Sequence, residues 1–167
     1  MFDFLKRKNK YPDLNKTVEA IAQFLIDDSG SDLPTPLKEF IDSAKLDYSL
    51  ESLKHVDSYL DQVRNQKKNL NRDQLTKVIA RAGAYCGEVV RKNSKKNFYW
   101  INYDTAVNIP PKGKFLVEKS VYTFYILFIE PEGFSFPLAK VGKYLDNGPE
   151  DSLWGFASMV LSTDKTQ

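Results

Sequence analysis

One histidine, one cysteine and an isolated glutamate are the side chains that stand out as candidates for proton-transfer or nucleophilic chemistry in this 167-residue chain. His55 follows Glu51 by one helical turn, so an acid/base pair can be drawn between them. The same spacing is ordinary helix surface chemistry, however, and no nucleophile is placed beside it. Cys86 sits in the middle of an apolar arc, where a thiol behaves as a small hydrophobe. A reactive cysteine needs exposure and a lowered pKa, so Cys86 is expected to be buried and inert. Glu88 is the only acid between residues 74 and 103, in a basic and aromatic stretch, which is how a general base can look. With Arg91 three residues on and Lys92 four on, it is read instead as an exposed helix salt bridge. No catalytic residue is assigned. The candidate binding residues are Tyr85, Glu88, Arg91, Trp100 and Tyr103.

What is missing narrows the chemistry further. The chain has no Cys-x-x-Cys, no paired histidines, no glycine-rich phosphate loop and no Gly-x-Ser-x-Gly elbow. A zinc site with nitrogen or sulfur ligands has nothing to bind it, and no acidic triplet has the loop spacing of a calcium or magnesium site. The expectation is neither metal nor cofactor.

These residues must be positioned by a few elements. Asp13 is read as the cap of a helix with Val18, Ile21, Ala22 and Leu25 on one face, ended by the Gly30, Pro34 and Pro36 breakers. A short helix is expected over residues 37–44. Ser49 then precedes a helix with Leu53, Val56, Tyr59, Leu60 and Val63 at helical spacing. Asn71 with Gln74 has the pattern of a capping box for a helix running to about Lys92. On that helix Leu75, Val78, Ile79, Ala82, Tyr85, Cys86, Val89 and Val90 form an arc, which Thr76, Ala80, Gly83 and Gly87 widen. Only Lys77, Arg81, Ala84, Glu88, Arg91 and Lys92 are left to face water. Each glycine costs about 1 kcal/mol relative to alanine inside a helix. The four-residue spacing of Gly83 and Gly87 therefore predicts a stripe where another element approaches closely.

After Lys96 the period falls from about 3.6 to 2. "NFYWINY" and "KSVYTFYILFIE" read as strands. The second has Val121, Tyr125, Leu127 and Ile129 on one side and Tyr122, Phe124, Ile126 and Phe128 on the other, so it is expected to be central and covered on both faces. "FLVE" is read as a neighbouring strand and "PEGFSF" as a turn with a short strand. "PLAKVGKYLDN" and "SLWGFASMVLS" close the chain as helices. The predicted fold is a single α+β domain: an N-terminal helical layer packed on an antiparallel sheet, with two C-terminal helices. Residues 13–92 are mainly helical, 97–136 mainly strands and 137–162 helical.

Charge is segregated rather than excessive. From Asp27 to Asp61 there are nine acids against three bases, net −6, and from Arg64 to Lys96 ten bases against two acids, net +8, in a chain of net charge +2. The clusters "RNQKK" and "RKNSKK" stand at opposite ends of a helix about 30 Å long, which argues against one nucleic-acid groove. The longest apolar run is six residues, far short of the roughly twenty that span a bilayer. The opening "MFDFLKRK" is read as docked or frayed rather than as a membrane tip, and no membrane partner is expected. One cysteine and the lack of an apolar signal segment point to a reducing cytoplasm.

Three blocks carry a resemblance: "LDYSLESLKHVDSYLDQVR" (46–64), "IARAGAYCGEVVRK" (79–92) with "WINY" (100–103), and "FPLAKVGKYLDNGPEDSL" (136–153). They resemble blocks that recur in a family of uncharacterised cytoplasmic proteins of bacteria. The resemblance implies a bacterial source and brings no activity, site or oligomeric state. The leading expectation for function is a non-enzymatic protein-binding module, of the immunity or adaptor kind, with a protein partner. The alternatives are a carboxylate-based hydrolase or transferase using Glu88 and His55, and an RNA-binding protein using the basic clusters.

Overall fold

The structure is a computed structural model that describes residues 9–116, 118–131 and 133–163, so the opening "MFDFLKRK" lies outside the described residues. Its helices are α1 (Asn15–Ile26), α2 (Ser52–Asn65), α3 (Arg72–Asn93), the single turn α4 (Tyr103–Ala106), α5 (Pro137–Asn147) and α6 (Leu153–Ser162). The strands β1 (Tyr99–Asn102), β2 (Tyr125–Ile129) and β3 (Gly133–Ser135) form one antiparallel sheet in the order β1-β2-β3. The α+β reading is correct, with helices before and after the sheet. No helix among the described residues is long and apolar enough to cross a membrane.

The capping box on α3 is complete: the Asn71 side chain accepts from the Gln74 amide, and the Gln74 side chain accepts from the Asn71 amide, both at 2.9 Å. From there α3 runs through the middle of the molecule, packed against α1, α5 and α6. Between Val78 and Val90 only Ala80 escapes full burial. This corrects the expectation that Arg81, Ala84 and Glu88 face water. A helical wheel assumes one covered side, whereas here α1, the 28–35 loop and β1 cover the polar side as well.

Arg81 shows how that side is closed. Its guanidinium donates to Thr35 Oγ1 at 2.6 Å and to the Leu33 carbonyl at 2.7 Å, and it lies 5.1 Å from the centre of the Phe24 ring and 3.7 Å from Asp28. A buried guanidinium needs such partners, because leaving one unpaired is strongly destabilising. The end of α1 is closed by the same loop. Thr35 Oγ1 donates to the Phe24 carbonyl, Lys38 Nζ to those of Leu25 and Ile26, and Ser43 Oγ to Ile26. A cation and two hydroxyls thus take the terminal carbonyls that a helix cannot satisfy itself.

Asp28 gives this loop a pH dependence. Its carboxylate accepts the Thr35 amide, which holds it below the usual aspartate range. A depressed folded pKa contributes stability above the unfolded value of about 3.9 and loses it as pH falls through the folded one. Wild type should therefore lose more of its denaturation midpoint between pH 7 and pH 3 than Asp28→Asn does. Equal losses would show that the Asp28 contact contributes nothing.

The sheet separates two apolar layers. Trp100, Leu127 and Ile129 face the helices, while Tyr99, Ile101, Ile126 and Phe128 face a smaller cluster with Ala106, Ile109, Tyr11, Leu116 and Phe134. The alternation read from β2 is thus correct from Tyr125 onward, and β2 is the central strand.

Residues 97–136 are not mainly strand. The Asn102 side chain caps α4 by accepting the Thr105 amide at 2.8 Å, which ends β1 before Tyr103. Lys112–Phe115 is a short 3-10 turn where "FLVE" was expected to begin a strand. Ser120 and Thr123 cap each other reciprocally around the turn Val121–Thr123, so β2 starts only at Tyr125. The segment 37–44, expected as one helix, is broken into turns over Lys38–Phe40 and Ser43–Lys45.

Candidate functional site

Of the five residues singled out by sequence, three come together. Trp100 Nε1 donates to Glu88 Oε1 at 2.7 Å, and Arg91 donates to both Glu88 oxygens at 2.8 Å. The indole lies across α3 where Gly87 has no side chain: a Cβ there would stand 2.2 Å from the six-membered ring of Trp100. The Trp100 backbone is fixed as well, its amide donating to Asn15 Oδ1 and its carbonyl accepting from Leu14. Glu88 is fully buried, which corrects its reading as an exposed salt bridge. The Glu88 hydrogen bonds raise the Arg91 guanidinium above its usual pKa. This fully buried carboxylate, shared by Trp100 and Arg91 and with Lys92 Nζ 3.8 Å away, holds β1 against α3.

Tyr85 is buried elsewhere on the same helix. Its hydroxyl lies 2.7 Å from Ser52 Oγ and accepts the Tyr48 amide, and its ring stacks on Tyr48 at 4.8 Å. Tyr48 has a φ of 62°, and this amide contact helps hold it there. Tyr103, half-buried at the start of α4, does not join the Glu88 group. His55 is exposed on α2, and Glu51 is held by Lys54 and the Trp154 indole instead, so the drawn acid/base pair is not formed. Cys86 is fully buried and burial pushes its thiol pKa far up. A thiol reagent should leave native protein unlabelled until it unfolds, and rapid stoichiometric labelling would contradict this.

Two of the clefts among the described residues are open to the surface instead. The smaller, about 190 Å³, lies on the far layer of the sheet between Tyr11, Phe128, Phe134, Lys112 and Glu130. The larger, about 760 Å³, runs between the first half of α3 and the second half of α5, walled by residues 118–124. Its floor is Leu75, Ile79, Val121 and Leu145, with Tyr122 and Phe124 exposed to 40% and 45%. The groove is the open continuation of the small-residue stripe. At Gly83 the stripe is filled by α5, since a Cβ there would lie 2.7 Å from the Leu138 Cα, and at Gly87 by Trp100. Toward Arg72 none of the described residues fills it completely. Tyr122 enters from the side, its ring against Gly142, where a Cβ would meet it at 2.5 Å.

Comparison with protein-family models, with curated proteins and with solved structures finds no match to this chain.

The groove was not visible as a site in the sequence, because Tyr122 and Phe124 fit the alternation of a buried strand. One signal was present: Ser120 and Thr123 have the spacing of a reciprocal cap, which ends extended structure and turns the two aromatics out.

Proposed function

We propose that this chain is a protein-binding module with no catalytic role for Glu88 or His55, and that the α3–α5 groove is where its partner docks. The observation that supports this reading is the half-open apolar groove with two exposed aromatic rings and a charged rim. An apolar centre within a polar border, enriched in aromatic residues, is the usual anatomy of a protein interface. Loops held on a rigid frame commonly carry such contacts, and here the turn Val121–Thr123 lies against α3 and α5. An adaptor or immunity role in a bacterial cytoplasm is the biological form we propose for it. The enzyme alternative has less support, since Glu88 is enclosed by Trp100 and Arg91 while His55 points to solvent from another helix.

A photo-crosslinking amino acid placed at Phe124 should yield a discrete protein adduct in the native host. The same probe at His55 serves as the control. Adducts of equal yield from both positions, or none from Phe124, would overturn the assignment of the groove.

A further inference from the structure

We propose that the groove takes an amphipathic acidic segment of a partner protein, with its apolar side chains over Leu75 and Ile79 and a carboxylate on Arg72. This rests on the protein-binding reading above and adds the chemistry of the partner.

The floor fixes the apolar half. Arg72, Leu75, Thr76 and Ile79 line the groove along one stripe of α3, about 10 Å long at 1.5 Å per residue, with Ile79, 6% exposed, at its base. Two turns of this kind match a peptide with apolar anchors at i, i+3 or i+4, and i+7.

The charges fix the other half. Three cations and two carboxylates line the groove. Lys67 already holds Asp146 at 2.5 Å, and Lys119 reaches Asp104 at 2.7 Å. The Arg72 side chain makes no ion pair or hydrogen bond with any described residue, and it is exposed at the edge of the apolar floor. A guanidinium in that position suits a carboxylate that it can grip with two N–H donors. Lys68 and Lys143, both exposed beside lining residues, add positive charge to the border. The ion pairs of Lys67 and Lys119 are partly or largely exposed, so their lysines can exchange partners at small cost.

Two other occupants fit less well. A nucleic acid presents a phosphate at every step and would meet Glu118 and Asp146 in the walls, whereas a peptide places its charges sparsely. A second copy of this chain would have to supply an acidic face from residues 27–61. There three of the nine acids are already committed, Asp28 to Thr35 and Arg81, Asp57 to the amides of Leu153 and Trp154, and Asp61 to the Tyr144 hydroxyl, while the exposed Asp32, Glu39 and Asp42 are scattered along an irregular stretch rather than on one helical face.

The test is selection of random 16-residue peptides displayed on phage against the full chain, followed by fluorescence anisotropy with the enriched peptides. Enriched sequences should carry Asp or Glu beside apolar residues at helical spacing. Arg72→Glu should weaken them at least tenfold, and changing the matching peptide acid to lysine should recover binding. Phe124→Ala should weaken binding as well. Arg72→Glu keeps the fold within reach, because a carboxylate in the first turn of a helix is favourable; circular dichroism checks it. Enriched peptides that are basic or uncharged, or that ignore both substitutions, would overturn the acidic partner while leaving a protein-binding module standing. No enrichment at all would overturn both readings. Tight, salt-sensitive binding of a single-stranded 20-nucleotide RNA that competes with the peptides would overturn the proposal in favour of nucleic acid.

Discussion

Gly87→Ala should lower the stability of this protein by about 1 to 3 kcal/mol, the range for overpacking a filled core. Helix propensity alone predicts the opposite sign, a gain of about 1 kcal/mol. The clash decides between them. The added methyl would meet the Trp100 ring at 2.2 Å, with Pro137 at 3.1 Å behind it. The indole has little freedom to retreat, since Glu88 holds its N–H and α1 holds its backbone at both the amide and the carbonyl. Urea unfolding followed by tryptophan fluorescence reads the change in midpoint. Trp100→Phe, itself destabilising, should reduce the penalty of Gly87→Ala when the two are combined, because it removes the ring atoms that the methyl strikes. An additive pair would mean that the clash lies elsewhere.

Glu88→Ala should cost more, about 3 kcal/mol, near the low end for removing one partner of a buried ion pair. The low end applies because Arg91 keeps 21% of its side-chain surface exposed and can recover some hydration. The Trp100 N–H has no such route, being fully buried. Glu88→Gln keeps an acceptor for the indole while losing the charge, so it should fall between wild type and alanine. Equal midpoints for Glu88→Ala and wild type would show that the buried carboxylate contributes nothing to the fold.

Both predictions concern features that sequence reasoning half found. The spacing of Gly83 and Gly87 indicated a close approach, because a glycine pair inside a helix is locally unfavourable and needs a compensating contact. What approaches could not be read, since it depends on chain far away: the Leu138 backbone at one glycine and a tryptophan ring at the other. The α3 capping box and the limits of α5 were legible because their signals are local. The polarity of Arg81 and Glu88 reads as exposure in the sequence, and only the packing of α1, β1 and the 28–35 loop shows that each is buried with its partners. The groove was hidden for a related reason. Alternation in "SVYTFY" looks like strand until the Ser120–Thr123 cap is seen to stop it.

The closing of α1 by Thr35, Lys38 and Ser43 has a consequence for how the molecule opens. These residues come from a stretch with two short 3-10 turns and no regular helix or strand, which by itself would be expected to exchange its amide hydrogens quickly. The Thr35, Lys38 and Ser43 side chains each donate to a carbonyl of α1, and Arg81 ties the same stretch to the central helix. Releasing the loop would strand carbonyl acceptors on α1 and the buried guanidinium donors of Arg81 on α3 at once. Residues 24–43 are therefore expected to open as one cooperative unit, with the amides of this irregular loop exchanging as slowly as those of the helix end it closes.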